Sequence, residues 1–180
     1  MLSNSFQSDS NNRIQVGEPR TKPEWDDLLI VGWREWIALP ELNMDRVRAK
    51  LDSGAALSSL HADRMETFSR SRQSWIRFFV PGPSLSDSEN DRESDYQCSA
   101  RLIGHRNIRS SNGEVATRPV IETTLYLAGF QWQIELTLTD RATLECPMLI
   151  GRNALAGRCV IDCSRSDLVS GRPRHSSMAS

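Results

Sequence analysis

Two short segments carry the residues best able to do chemistry. The first is Leu51-Asp52-Ser53-Gly54, and the second, nearly a hundred residues later, is "MLIGRNAL" from Met148 to Leu155. A carboxylate at the tip of a rigid element can take a proton from water or return one to a leaving group, given a partner close by. Ser53 can hydrogen-bond neighbouring groups, and Gly54 admits a close backbone approach that a side chain would block. Arg152 carries a planar fork of N–H donors that suits a carboxylate or backbone carbonyls, and so could tie a late segment to an early one. Each segment alone also has an ordinary reading. The first is then a strand ending in an Asx turn; the second is a buried strand turning through Gly151 into a helix, with Arg152 on the surface. Their order and separation favour the chemical reading.

The elements that would position them are mostly strands. "LLIVGWREWIAL" (28–39) is an apolar run that passes into partial alternation. Trp33, Glu35, Ile37 and Leu39 fall on one side, and Trp36 and Ala38 on the other, with a bulge or close approach at Gly32. "RVRAKLD" (46–52) alternates Val47, Ala49 and Leu51 against Arg46, Arg48 and Lys50, a strand with one face buried. The two are expected to form a hairpin with Asp52 emerging at its end. "SWIRFFV" (74–80) is a third strand, and short strands resume at "YQCSARLIGHRNIRSSNGEV". "PVIETTLYL" and "FQWQIELTLTD" form the clearest hairpin, turning at Ala128–Gly129. "RNAL" reads as one or two helical turns and "GRCVID" as a closing strand. This pattern predicts a mainly β fold, a small closed barrel with one or two short helices, not a βαβ sheet.

The chain has 180 residues, enough for one domain. Residues 1–26 are polar and are expected to form an arm outside the core. The domain is expected over 27–168 with a polar loop at about 81–95, followed by a loose tail over 169–180. Lys+Arg number 22 against 23 Asp+Glu, and a net charge of -1 gives no reason to expect a nucleic-acid partner or an anionic membrane. No run approaches the roughly 18 apolar residues of a membrane span. The N-terminus lacks the features of a signal peptide, which points to the cytoplasm. Four scattered cysteines read as reduced thiols, not a disulfide framework.

The stretch from Gly32 to Ala62, with its "LDSGAALSSLHA", resembles the opening of the small bacterial retropepsin-like proteins often labelled ATP-dependent zinc proteases. The resemblance continues from Arg109 through "LIGRNALAG" to "CVIDCSRSDL" and covers about residues 30–168. It implies a retropepsin-like closed barrel in which Asp52, Ser53 and Gly54 match the catalytic Asp-Ser/Thr-Gly. Gly151, Arg152 and Asn153 match the late segment that supports the catalytic loop. The family pattern usually sets an acidic residue four positions after the aspartate to pair with the arginine. Here that position is Ala56, so the ion pair is absent or replaced. Aspartic peptidases use two carboxylates sharing a proton, and this chain has one Asp-Ser-Gly. A homodimer with Asp52 from each copy at a two-fold axis is therefore expected, with a flap drawn from about residues 100–118. Relatives of this kind are associated with a ligase that adds glutamates to a ribosomal-protein tail, which implies a glutamylated or otherwise acidic peptide substrate. A non-catalytic peptide-binding barrel and a metal-dependent peptidase are the alternatives.

The remaining candidates are weaker. His61 either hydrogen-bonds near the end of the Asp52 segment or is a half-buried helix histidine. There is no HExxH and no paired CxxC, so no cofactor is expected; a zinc site from Asp52, His61 and a third ligand stays open. No nucleotide-binding loop supports the ATP label. Arg106, Arg109 and Arg118 lie in a basic stretch that would favour an acidic peptide if it borders the cleft, and otherwise form a solvated face.

Overall fold

The computed structural model describes residues 28–82, 95–109, 113, 115–141 and 145–169. The expected N-terminal arm, most of the 81–95 loop and all but the first residue of the tail fall outside them. Eleven strands, one short α-helix and a single 3-10 turn at Pro40–Leu42 are present among the described residues. They are β1 (Leu29–Gly32), β2 (Arg34–Leu39), β3 (Met44–Asp52), β4 (Ser58–His61), β5 (Asp63–Arg70), β6 (Gln73–Val80), β7 (Tyr96–Arg109), β8 (Val115–Leu127), β9 (Phe130–Thr139), β10 (Met148–Gly151), α1 (Arg152–Leu155) and β11 (Cys159–Asp162).

Strands β2, β3, β10, β4, β9 and β8 neighbour one another in that order. The pairing of Ala38 with Tyr126 joins β2 back to β8 and closes a six-stranded barrel. Closure removes the exposed edges that an open sheet of this size would carry. Beyond the ring, β7, β6 and β5 extend from β8 in antiparallel order. The core is filled by alternate residues of the ring, among them Leu39, Met44, Leu60, Leu136, Met148 and Ile150, all fully buried. No helix among the described residues is long and apolar enough to cross a membrane.

Two arrangements position the site. The 46–52 strand pairs antiparallel with β2 as expected, with Trp36 opposite Arg48 and Arg34 opposite Lys50. β10 then inserts between β3 and β4, parallel to the first and antiparallel to the second, which sets Gly151 directly beside Asp52. The late segment thus meets the early one through sheet hydrogen bonds.

The opening run is broken where a single strand was expected. The Gly32 N–H donates to Glu35 Oε1 at 2.7 Å, and the Trp33 N–H donates to the Arg165 carbonyl at 2.9 Å. The chain therefore leaves the barrel, and β1 pairs in parallel with β11 as a separate two-stranded sheet. Glu35 does share the inward face with Ile37 and Leu39 and is fully buried. Its carboxylate accepts from the N–H groups of Gly32, Leu168 and Val169, which satisfies a charge that burial would otherwise penalise. The short strands expected after Tyr96 are one continuous strand of 14 residues. The β8–β9 hairpin turns as expected through Ala128 and Gly129, with φ of 52° and 90°.

Candidate active site

Asp52 closes β3 and stands at the head of a loop running to Ser58. Its Oδ1 accepts the Gly54 N–H at 2.8 Å, an Asx-type turn, and its Oδ2 accepts from Lys50 Nζ at 3.1 Å. The strand alternation that puts Lys50 on the solvated face sets it two residues before Asp52, on the same side. Desolvation in the loop pushes the Asp52 pKa up. The Lys50 ammonium and the N–H groups of Gly54 and Ala55 outweigh it and leave the carboxyl below the usual carboxylate range. The side chain retains 23% exposure, and Ser53 and Gly54 beside it are open to solvent.

The loop is fixed from the other end of the chain. Arg152 Nη1 donates to the carbonyls of Ser53 (2.9 Å) and Gly54 (2.8 Å). The next two carbonyls, Ala55 and Ala56, accept the backbone N–H groups of Arg152 (2.8 Å) and Asn153 (3.1 Å). Those N–H groups begin α1 and have no partner inside the helix. Four consecutive loop carbonyls are thereby satisfied by two residues. Gly151 permits the approach, because a Cβ there would lie 2.6 Å from the backbone of Leu57. Its own N–H donates to Ser58 Oγ at 3.1 Å. Among the described residues Arg152 makes no ion pair. Backbone carbonyls take the place of the acidic partner that Ala56 cannot supply. Asn153 contributes its backbone N–H.

His61 does not join this loop. It ends β4, three residues beyond Ser58 and so roughly 10 Å along the strand. The structure places it in a strand, parallel to β9, where a helix was the alternative reading. Its Nδ1 accepts the Arg141 N–H at 2.8 Å, so the ring's proton lies on Nε2, which donates to Asp63 Oδ2 at 3.1 Å. A zinc site from Asp52 and His61 is not what this geometry offers. Among the described residues no three His, Cys, Asp or Glu side chains converge on a metal-sized space. All four cysteines are free thiols. Burial pushes Cys98 up to about 12 and Cys159 up to about 11, which leaves neither a ready nucleophile.

The expected flap region is a hairpin, β7 against β8, with Gly104 to Arg109 paired to Val120 to Val115. Arg106 and Arg118 are cross-strand partners on one face of it. Arg106 is exposed and pairs with Glu135 at 3.6 Å, Arg109 is exposed near the hairpin's end, and Arg118 is half-buried.

Residues 30–171 match a family model described as RimB-like, the retropepsin-like aspartic endopeptidase RimB. The chain belongs to this family. Its closed barrel is that of a retropepsin-like aspartic peptidase fold. The chain is also 38% identical over 141 residues to a probable alpha-L-glutamate ligase of Shewanella halifaxensis, across 78% of its own length. It is 40% identical over 134 residues to a protein of the same description from Parasynechococcus marenigrum, across 74%. The matches span only 30% and 28% of those longer proteins. Among solved structures it is similar to Lpg0085 of Legionella pneumophila, a protein described as of unknown function. The TM-score is 0.64 at 26% identity, covering 78% of this chain and 98% of that one.

Three contributors to the region were not anticipated from the sequence. Lys50 and Ser58 contact Asp52 and Gly151 as described above. Arg141, from the segment after β9, donates through Nη1 to Ser59 Oγ at 3.1 Å. Lys50 was legible in principle, since it lies in phase with Asp52 on a clearly alternating strand. Ser58 and Arg141 are brought in by β10 and by the segment that follows β9, and no local pattern marks them.

Proposed function

We propose that this protein hydrolyses peptide bonds with a dyad of Asp52 carboxylates, one from each copy of a homodimer. The observation that carries the reading is the Asp52 loop. Its carboxylate is open on one side while its carbonyls are locked to α1, and it belongs to an aspartic endopeptidase family. A solvent-facing edge of this kind is what a two-fold partner would cover. With two carboxylates close together, repulsion raises one pKa and a proton is shared. The ionised carboxylate takes a proton from water as the water oxygen bonds to the scissile carbonyl carbon. The protonated carboxyl supplies a proton to that carbonyl's oxygen. Collapse of the tetrahedral intermediate breaks the C–N bond, and the leaving amine takes up a proton from the dyad. The Lys50 and N–H donors favour the ionised form on each copy, so the partner carboxyl shares its proton in competition with Lys50.

The substrate we infer is an acidic peptide, such as a tail of added glutamates. Support comes from the relatives described as glutamate ligases, which carry the matched segment within a longer chain. A peptidase unit in the same protein as a ligase is suited to act on that ligase's product. The Lys50–Asp52 ion pair favours a second reading, a barrel that binds such a peptide without cleaving it.

The test is hydrolysis of a glutamate-tailed peptide by mass spectrometry, alongside the molar mass in solution. The proposal expects a dimer, and loss of cleavage by at least a thousandfold in Asp52→Asn. A monomer that cleaves, or an Asp52→Asn protein that retains activity, would sink the shared dyad. A dimer that binds the peptide intact supports the second reading.

A further inference from the structure

Residues paired across neighbouring strands share a face of the sheet. Lys50 is paired with Leu149, Leu149 with Ser59, Ser59 with Thr137, and Thr137 with Val120. The intervening residues Leu51, Ile150, Leu60, Leu136 and Ile121 form the core, so this row is the barrel's outer face. Asp52 lies two residues beyond Lys50, at one side of that face. Arg118 lies two residues before Val120, at the other side, where the antiparallel register carries it alongside Thr139 and the chain leading into Arg141.

Arg141 bridges the interval. Its backbone N–H is held by His61, and its guanidinium is tethered to Ser59, two strands away from β3. Burial lowers its pKa, and the positive charge of Arg118 lowers it further; the charge of Asp52 opposes both. The two guanidiniums are therefore near enough to repel, and Arg141 is near enough to feel the catalytic carboxylate. Cys146 also borders Arg141, but burial raises its pKa and keeps it a neutral thiol.

The nearby arginines differ in one respect. Arg34 is paired with Glu145 and Arg48 with Asp167. Among the described residues neither Arg118 nor Arg141 is in an ion pair; the Nε of each is buried without a hydrogen-bond partner, as is that of the ion-paired Arg34. Two half-buried cations that repel and lack a carboxylate make an arrangement completed by an anion.

We propose that Arg118 and Arg141 form the seat for a substrate carboxylate, a specificity subsite of the Asp52 centre. Two strand spacings across and two residues along β3 separate Ser59 from Asp52, roughly 12 Å. The carboxylate seated there belongs to a residue beside the scissile bond, not to the one whose carbonyl is attacked. This deepens the reading of the site as one for acidic peptides and rests on it. It moves recognition from the exposed Arg106 and Arg109 to the half-buried Arg118 of the same hairpin and to Arg141 outside it.

Binding separates this inference from hydrolysis. A fluorescently labelled tetraglutamate peptide is titrated into the full-length Asp52→Asn protein, and then into the same protein carrying Arg141→Gln or Arg118→Gln. Thermal unfolding checks that each is folded. Each substitution is expected to weaken binding about tenfold, and peptides with glutamine in place of single glutamates are expected to locate one position of similar loss. The glutamine peptides need no protein variant, so the test survives a misfolded arginine mutant. Unchanged affinity in both arginine variants, or glutamine peptides that bind like glutamate ones, overturns the seat. If wild-type protein binds through both arginines yet cleaves nothing, the seat stands and the peptidase reading fails. If acidic and neutral peptides are cleaved alike by wild type and variants, hydrolysis stands and the seat fails.

Discussion

Two charged side chains fasten the end of this chain to its beginning, with opposite polarity. Arg152, a late cation, donates to the early carbonyls of Ser53 and Gly54. Glu35, an early anion, accepts from the late N–H groups of Leu168 and Val169 and from Gly32. Arg152 is exposed, whereas Glu35 is at 0% exposure. Water can replace Arg152 at the carbonyls it releases. Nothing replaces Glu35. The same device is thus sealed in one place and open in the other: one holds the barrel to its C-terminal segment, and the other holds the Asp52 loop while leaving its carboxylate accessible.

The comparison breaks most readily at Glu35, where the largest stability effect is expected. Glu35→Ala strands the buried Gly32 N–H and the part-buried N–H groups of Leu168 and Val169, each costing about 1–3 kcal/mol, for a total of about 3 kcal/mol or more. Glu35→Gln keeps an acceptor oxygen and should recover part of that loss. Urea unfolding with an unchanged slope is the measurement. A Glu35→Ala protein as stable as wild type would end its assignment as a structural fastening.

Arg152→Met should show the reverse profile. The two exposed hydrogen bonds contribute about 1 kcal/mol to stability. A loop free to shift by an ångström, however, can cost about 100-fold in rate. The expected result is a nearly unchanged unfolding midpoint with kcat reduced tenfold or more. Arg152→Lys, with a point charge in place of a fork, should restore activity only in part. Equal losses of stability and rate would mean that the loop brace is merely another structural fastening.

Much of this contrast was readable from the sequence, and the unreadable part has a common cause. β2, β3, β8 and β9 alternate clearly because one face of each meets the core and the other meets water. Asp52 stood out at the end of such a strand, two residues before Gly54, and Arg152 stood out directly after the glycine that ends the apolar run of β10. β5 gave no signal, since every residue of it except Phe68 is exposed and no face is buried to impose a period. β4 is buried on both faces, so it does not alternate either. Its neighbours β9 and β10 come from later in the chain, and that distance hid Ser58 and Arg141. The break at Trp33 was hidden for the same reason, because Arg165 and the C-terminal segment cause it.

The smallest effect should come from Lys50→Met, which sharpens the comparison at the carboxylate itself. Lys50 is 48% exposed, so losing its pair with Asp52 should change stability at neutral pH by only about 0.5 kcal/mol. Its signature is in the pH dependence. The folded Asp52 pKa is held down, so its contribution to stability is complete above the unfolded carboxylate pKa and is lost as pH falls through the lower folded value. Removing Lys50 leaves burial opposed only by the loop N–H groups, which raises the Asp52 pKa and moves that loss to higher pH. The acid limb of kcat/KM should move the same way, since the ionised carboxylate is the form that activates water. NMR titration of the Asp52 carboxyl carbon reads the shift directly. If the pKa rises but the acid limb stays fixed, Asp52 is not the group whose ionisation the rate reports, and the Arg152-braced loop loses its claim to be the catalytic one.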